Sequence, residues 1–271
     1  MTSEASQQLL FASLAAENAA GYYADLVAYL SLVLRRPIRL SDEPAWQLRE
    51  QALIRGQAHV GVMCGLQYVC DIQCGDGPGL ELLAAPVMRE RRYRLEPVYF
   101  SDVVVKAEHS ARKFEDLAAC RFAFNERTSH SGYGVVRYAL AVRGFTSGFF
   151  GSVVESNTHQ RSLSLVASDA VDAAAVDSTV LETEFLRMPD LRRRLRVVTA
   201  LGPSPIPPLV VSRAVPHQLR SDLRNALIDM HRDRRGLQVL STGRVQHYVQ
   251  VRDSDYDPIR VMATTGAEIT L

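Results

Sequence analysis

The stretch from residue 121 to residue 140 constrains the fold of this chain more than any other part of the sequence. Residues 121–125 alternate polar side chains with aromatic or small ones, which is typical of a short strand. Residues 128–131 form a hydroxyl-rich segment, and apolar residues then recur at helical spacing over 135–140 until Gly144. The stretch therefore predicts a strand, a hydroxyl-rich turn and a helix.

This turn has the chemistry of either an anion site or an ordinary helix cap. The start of a helix leaves about four backbone N–H groups without a partner, and together with the helix dipole they favour an anion. The hydroxyls of Thr128, Ser129 and Ser131 add donors without adding charge. Ser and Thr are also the usual N-cap residues, so the stretch alone leaves both interpretations open.

The composition limits the classes of partner. A chain of 271 residues can form one large or two smaller domains, and 47% hydrophobic with 23% charged residues is typical of a soluble globular protein. Because the formal net charge is +1, charge gives no support for binding nucleic acid or a membrane surface. No apolar run is long enough to span a bilayer, so no direct membrane insertion is expected.

The cysteines and the first residues bear on metal binding and on location. The chain has four cysteines, Cys64, Cys70, Cys74 and Cys120. Their spacing is not the paired spacing of a zinc site, so we expect buried free thiols and no bound metal. A disulfide would fit only an exported form of the protein. The first residues show no basic segment followed by a long apolar one. The protein is thus expected to be cytoplasmic, or extracytoplasmic if a leader was removed.

Strands and helices alternate over the first third of the chain, which predicts an α/β fold with a parallel-rich sheet and helices on both faces. Ligands in such sheets bind beyond the carboxyl ends of the strands. A second hydroxyl-rich helix start, residues 156–159, follows a predicted strand, and Asp177 ends a third strand. If these strands are neighbours, their three ends face one cleft. Residues 236–271 are predicted to be loop-rich with one helix around 257–262.

Several motifs follow one another along the chain. They are a helix and a strand followed by Gly65 and Tyr68, then Asp116-Leu117 with a strand and Ser129-His130-Ser131-Gly132-Tyr133, then Ser156-Asn157-Thr158-His159, and finally a strand ending in Asp177-Ser178. In order and spacing they resemble the phosphonate-type substrate-binding proteins of ABC importers, a family with the periplasmic-binding-protein-like type II fold. The resemblance covers most of the chain.

This resemblance implies an α/β protein of two lobes with a ligand cleft between them. Lobe I would comprise residues 1–98 and 202–271, and lobe II residues 99–201, with crossings near 97–101 and 199–203. The family also implies a small oxyanion ligand, such as a phosphonate or phosphite, around which the lobes close by a hinge motion. An ABC-importer permease is the implied partner, and no cofactor is expected.

The resemblance also selects the residues of the expected oxyanion site. Ser129, Ser131 and the amides of Gly132 and Tyr133 are the expected donors, with simple capping as the structural alternative. His130 stands where the family has threonine, which changes the anion contact and adds a titratable group.

Further residues complete the expected ligand set. His159 could donate to the same oxyanion, and Asp177 could pair with an amine or hydroxyl of the ligand. The aromatic residues that could wall the cleft from lobe I are Tyr68, Trp46 and Tyr93. Histidines at helix starts, acids at strand ends and aromatics at these spacings are also common structural residues. Asn157 replaces a turn glycine of the family, a departure that bears on the ligand more than on the fold.

The leading hypothesis for function is a binding protein that makes and breaks no bond in its ligand. A cytoplasmic ligand-sensing protein of the same fold is the first alternative, because no export signal is visible. An enzyme is the second, since Ser129, His130, His159 and Asp177 supply nucleophile and base types. The absence of a G-x-S-x-G elbow, a P-loop and zinc spacing disfavours catalysis.

Overall fold

The structure, a computed structural model, describes residues 8–74, 77–145 and 147–271. The strands, in chain order, are β1 Leu9–Ser13, β2 Ile38–Leu40, β3 Val60–Val62, β4 Leu80–Met88, β5 Val98–Lys106, β6 Arg121–Phe124, β7 Ser152–Glu155, β8 Ala173–Asp177, β9 Leu195–Pro205, β10 Leu209–Ser212 and β11 Val245–Val249. The helices are α1 Ala20–Val33, α2 Trp46–Ile54, α3 Gly65–Cys74, α4 Val135–Ala141, α5 His159–Ala167, α6 Ser178–Arg187, α7 Pro189–Arg194, α8 His217–Ile228, α9 Arg234–Thr242 and α10 Asp257–Thr265.

The chain divides into two compact units. The first comprises the described residues up to Val98 together with Pro205–Tyr256, and the second comprises Tyr99–Ser204 together with Asp257–Leu271. The chain therefore passes between the units at the peptide bonds 98–99, 204–205 and 256–257.

The first unit contains a six-stranded mixed sheet in the order β11-β4-β10-β3-β1-β2. Strand β1 lies parallel to β2 and β3, whereas β10 runs antiparallel to β3 and β4, and β11 runs antiparallel to β4. The central strands are almost wholly apolar and buried, as expected for strands covered on both faces.

The second unit contains a five-stranded sheet in the order β7-β6-β8-β5-β9. Strand β6 lies parallel to both β7 and β8, so the carboxyl ends of these three strands meet at one edge, as the sequence predicts. Aromatic rings fill the core beneath: Phe122 stacks on Phe150 with ring centres 4.1 Å apart, and Phe114 on Phe149 at 5.6 Å. Each such buried ring contributes about 1.5–3 kcal/mol of hydrophobic stabilisation.

The sheets differ from expectation in that both are mixed rather than parallel-rich. In the first unit β10 inserts antiparallel between β3 and β4, and in the second β5 runs antiparallel to β8. The C-terminal part also holds helix α9 and strand β11, where a loop-rich segment is predicted. Strand β11 is specified by its pairing with β4, far away in sequence, which local patterns do not reveal.

Residues 257–271 belong to the second unit, whereas the expected division placed them in lobe I. Helix α10 packs against α4, and Arg137 of α4 donates from Nε to the carbonyl oxygen of Ile269 at 2.6 Å. The side chain of Ile269 is buried in the aromatic core of the second unit. The division into functional lobes remains a prediction, but this tail is fixed by contacts between residues about 130 positions apart.

The cysteines are less buried than expected. Cys70 is exposed, and Cys64 and Cys120 are half-buried. The side chain of Cys74 lies outside the described part of the chain. Among the described residues, no helix has both the length and the apolar character needed to span a bilayer.

Candidate functional site

A π-turn, His130–Gly134, connects β6 to α4 and forms the centre of the candidate site. The Gly134 N–H donates to the carbonyl oxygen of Ser129 at 3.0 Å, and the Val135 N–H donates to that of His130, so each bond spans five residues. Ser129 caps the turn, because its Oγ accepts from the Gly132 N–H at 3.1 Å. Such wide turns are rare in proteins, and many of those that occur lie at functional sites.

Gly132 is required by a close approach to Asn125, the residue that follows β6. A Cβ atom at position 132 would lie 1.8 Å from Asn125 Oδ1, far inside van der Waals contact. Asn125 is buried, and among the described residues its Oδ1 has no hydrogen-bond partner. The Ser-Gly step of the sequence motif thus lets the turn lie directly against the end of β6.

Three buried polar side chains converge beside this turn. Ser131 Oγ lies 3.5 Å from Ser129 Oγ and 3.2 Å from His159 Nε2. Ser129, Ser131 and His159 are only 6%, 4% and 7% exposed. The structure therefore brings together two residues of the first hydroxyl-rich segment and one of the second, which the sequence places 28 positions apart.

The second hydroxyl-rich segment holds His159 in the first turn of α5. Thr158 is the N-cap and accepts from the Arg161 N–H at 3.1 Å. Asn157 has a positive φ of 69°, a conformation that asparagine tolerates better than most residues, so it can replace a turn glycine. Ser156 is engaged structurally, since its Oγ contacts Ser162 Oγ at 2.6 Å.

His159 is uncharged near neutral pH. Burial lowers the pKa of its imidazole to about 4, because the protein interior solvates the cation poorly. Its Nε2 faces Ser131, whereas its buried Nδ1 has no hydrogen-bond partner among the described residues. A buried imidazole nitrogen without a partner costs about 1–3 kcal/mol, so this atom is a natural contact for a ligand.

His130 does not join this group of side chains. Its Nε2 lies 2.9 Å from Ser204 Oγ at the end of β9, and its ring centre lies 6.4 Å from that of Tyr99. Burial lowers the pKa of this imidazole also to about 4. Residues 129 and 131 face one another and the intervening side chain is bonded elsewhere, so the expected direct contact of His130 with an anion finds no support in this geometry.

Asp177 ends β8 at the same edge of the sheet and caps α6. Its Oδ1 accepts from the N–H and the hydroxyl of Thr179, both at 2.7 Å, and from the Val180 N–H at 3.4 Å. Burial raises the pKa of this carboxyl to about 6. Ser101 is paired with Asp177 across strands β5 and β8, and it donates to the carbonyl oxygen of Ser131 at 2.6 Å. Asp177 is therefore linked to the π-turn through Ser101, its neighbour on β5.

The aromatic residues of the expected ligand set have structural contacts. Tyr133 is buried, and the guanidinium groups of Arg127 and Arg137 lie over its ring at 5.6 and 5.1 Å from the ring centre. Tyr68, in the first unit, is buried and donates to Asp253 Oδ1 at 3.0 Å. Trp46 begins α2, also in the first unit, and is half-buried. The role of Tyr68 and Trp46 as walls of a cleft stays a prediction.

Three polar residues around the turn have no recognisable signal in the sequence. Asn125 contacts Gly132, Ser101 donates to Ser131, and Ser204 bonds His130. Each is a single polar residue in or next to a strand, and only the pairing of distant strands brings it to the turn. Among the described residues, no group of three or more His, Cys, Asp or Glu side chains is placed to hold a metal ion.

A comparison with protein-family profiles identifies the chain. Residues 11–256 match the profile described as the phosphonate periplasmic substrate-binding protein of ABC transporters. The chain belongs to this family. The family is one of substrate-binding transport proteins, and the match confirms the resemblance stated from the motifs. No protein with a curated description matches the sequence significantly.

Solved structures confirm the type II periplasmic-binding-protein fold of this phosphonate-binding family member. A binding component of an ABC phosphonate transporter from Pseudomonas aeruginosa aligns with TM-score 0.84 and 17% identity, over 97% of this chain and 87% of that one. PhnD1 of Prochlorococcus marinus, in complex with methylphosphonate, aligns with TM-score 0.84 and 16% identity, over 97% and 99%. A Xanthomonas citri protein bound to ATP aligns with TM-score 0.74 and 14% identity, over 97% and 98%.

Proposed function

We propose that this protein binds a phosphonate, or a similar small phosphorus oxyanion, at the side chains of Ser129, Ser131 and His159. The observation that carries the proposal is the contact of Ser131 Oγ with His159 Nε2 beside a buried imidazole Nδ1 that lacks a partner. The family and the methylphosphonate bound to a structural neighbour support this class of ligand.

The hydrogen-bond donors of this site are all neutral. Ser129 Oγ already accepts from the Gly132 N–H, so its hydroxyl hydrogen is left to donate. The Ser131 hydroxyl and His159 Nε2 share one hydrogen bond, so this pair has one hydrogen left for a ligand, either that of the Ser131 hydroxyl or that on His159 Nδ1. His159, with its pKa lowered to about 4, supplies one N–H. Hydrogen bonds to an anion are about twice as strong as those between neutral groups, so several of them offset the cost of removing the anion from water.

The backbone contributes through the amides at the start of the turn rather than those first expected. The Gly132 N–H donates to Ser129 Oγ, and the Tyr133 N–H donates to the Ser129 carbonyl oxygen at 3.3 Å. The backbone N–H groups that we assign to the oxyanion are those of the two preceding residues, His130 and Ser131. They lie at the positive end of the dipole of the turn and α4.

In the proposed transport role, the protein closes around its ligand by a hinge motion and delivers it, unchanged, to the permease of an ABC importer from the periplasmic side of the membrane. This role follows the family. Asp177, at the same sheet edge, is the group that we assign to an amine on the ligand. With this role, Asp177 would favour aminoethylphosphonate, which carries an amine, over methylphosphonate, which does not. A separate measurement tests for catalysis: recovery of the ligand intact, as seen by phosphorus NMR, distinguishes a binding protein from an enzyme.

The test is a thermal-shift panel with phosphate, phosphite, methylphosphonate, aminoethylphosphonate, ATP, sulfate and taurine. A ligand at about a hundred times its dissociation constant stabilises the folded state by roughly 2.7 kcal/mol, which is an easily measured shift. We expect one phosphorus oxyanion to raise the midpoint and Ser131→Ala to lower its affinity at least about tenfold.

The matched control is Ser212→Ala in the first unit. Ser212 is also fully buried, and its Oγ accepts from the Ala214 N–H at 3.2 Å. This variant should lose a similar amount of stability and keep its ligand affinity. If no phosphorus compound shifts the midpoint, or if the two serine variants lose affinity equally, the proposed site is wrong.

A further inference from the structure

His130 occupies a distinctive position in the second unit, because it contacts the residues at which the chain enters and leaves that unit. Tyr99 is the first residue of the unit after the bond 98–99, and Ser204 is the last before the bond 204–205. The imidazole Nε2 lies 2.9 Å from Ser204 Oγ, and the ring packs near that of Tyr99. One buried side chain thus links two crossings that are over a hundred residues apart in sequence.

The same histidine lies between the two serines of the candidate oxyanion site. Ser129 and Ser131 face each other on one side of the turn, and the side chain of His130 is 1% exposed and reaches β9 on another. A second bond follows the same route, since Ser101 of β5, two residues after Tyr99, donates to the carbonyl oxygen of Ser131 at 2.6 Å. The turn therefore has hydrogen-bonded partners on both β5 and β9, which a shift of the turn on ligand binding would move.

We infer that His130 is a positioning residue that couples the oxyanion-binding turn to the two strands, β5 and β9, through which the chain passes between the units. The role of its side chain is to transmit ligand binding at Ser129 and Ser131 to Ser204 and Tyr99, without touching the ligand. This inference rests on the proposed function, and it assigns a purpose to the histidine that replaces the threonine of the family motif.

A coupling role of His130 and a purely packing role predict different effects of substituting His130 and Ser204 together. Ser204→Ala alone removes the hydrogen bond between Ser204 Oγ and the buried His130 Nε2, which lowers stability and affinity together. His130→Leu with Ser204→Ala removes both polar groups, and replacing both partners by apolar groups can be nearly neutral for stability. A packing role predicts that this double variant recovers both properties, whereas the coupling predicts that stability returns and ligand response does not.

The experiment combines calorimetry with hydrogen exchange, using the phosphorus oxyanion that gives the largest thermal shift. In the wild type we expect ligand to slow amide exchange both in the turn, 129–134, and at the crossings, 99–101 and 201–204. In the double variant we expect slowing in the turn only, with affinity reduced about tenfold. His130→Gln, whose amide can reach Ser204, should restore most of the affinity, and Ser212→Ala should behave as the wild type does.

The outcomes separate this inference from the proposed function. A double variant with wild-type affinity and wild-type protection at the crossings overturns the coupling while the binding function stands. If the wild type binds no compound of the panel, the binding function fails, and the coupling is then tested without ligand. In that case Ser204→Ala must speed exchange in residues 129–134, and unchanged exchange there overturns it.

Discussion

At the scale of single residues, the site depends on one contact between backbone and side chain. Asn125 Oδ1 occupies the space where a side chain at position 132 would begin, 1.8 Å from the Cβ position. The π-turn can therefore lie against the end of β6 only with glycine at this position. That approach sets the separation of Ser129 and Ser131, whose Oγ atoms lie 3.5 Å apart.

Gly132→Ala is expected to destabilise the protein by about 2 kcal/mol or more, because the methyl group must displace Asn125 or the turn. Ligand affinity should fall with it. Urea unfolding and calorimetry measure the two effects. The control is Gly21→Ala in α1, where no heavy atom lies within 4 Å of the added methyl and alanine favours the helix by about 1 kcal/mol. Equal effects of both substitutions would contradict this account of Gly132.

At the scale of elements, Asp177 joins β8 to α6 and serves both. Its Oδ1 accepts the Thr179 and Val180 N–H groups that begin the helix, as an N-cap does. The same position is buried at the edge of the sheet, and burial raises the pKa of the carboxyl to about 6. The junction therefore holds a cap that is costly to ionise.

Asp177→Asn is expected to stabilise the protein at pH 7, since asparagine keeps the capping oxygen and removes the buried charge. The pKa of Asp177 in the folded state, about 6, lies above its ordinary value of 3.8, so the wild type binds this proton more tightly when folded. Its contribution to stability is thus full below about pH 4 and is lost as the pH rises through about 6. The gain should be about 1–3 kcal/mol at pH 7.

Urea unfolding at pH 7 and pH 4 tests this prediction, because the gain of Asp177→Asn should vanish at pH 4. Asp233→Asn, at the exposed N-cap of α9, is the matched control for removing a charge from a helix start. A gain at Asp177 that persists at pH 4 would show that burial of the charge is not its cause.

At the scale of the whole molecule, two neutral imidazoles in one unit link stability to pH. His130 and His159 are both buried, and burial lowers the pKa of each to about 4. The unfolded chain takes up protons on these side chains near pH 6.5, before the folded state does. Stability is therefore full above about pH 6.5 and falls as the pH drops toward 4.

Each imidazole should withdraw up to about 3 kcal/mol of unfolding free energy between pH 6.5 and pH 4. Protonation of Asp177 raises the unfolding free energy as the pH falls, which opposes the effect of the imidazoles. Because there are two imidazoles and one such carboxyl, we expect a net loss of stability. Urea midpoints at pH 7, 5.5 and 4.5 measure the loss in the wild type. The variant His130→Gln/His159→Asn should show a clearly shallower loss, and the exposed His217→Gln should follow the wild type. Parallel curves for all three proteins would contradict the prediction.

Much of this architecture could be predicted because its signals are local. The strand, turn and helix around residues 121–141 follow from alternation, hydroxyl-rich capping residues and helical spacing, and the structure has β6, the π-turn and α4 there. The motif order also pointed to the family that the profile confirms. The antiparallel strands β5 and β10 could not be predicted in this way, because strand direction depends on pairing between distant segments.

The sequence by itself determined which side chains are available at the turn and at the start of α5, since Ser129, Ser131 and His159 lie in recognisable local motifs. Only the tertiary structure decided where each one points. It turned His130 toward Ser204, used Asp177 as the cap of α6, and brought residues 257–271 into the second unit. The physical reason is that local periodicity specifies helices, strands and caps, whereas the partner of a buried polar group depends on which distant strand packs beside it.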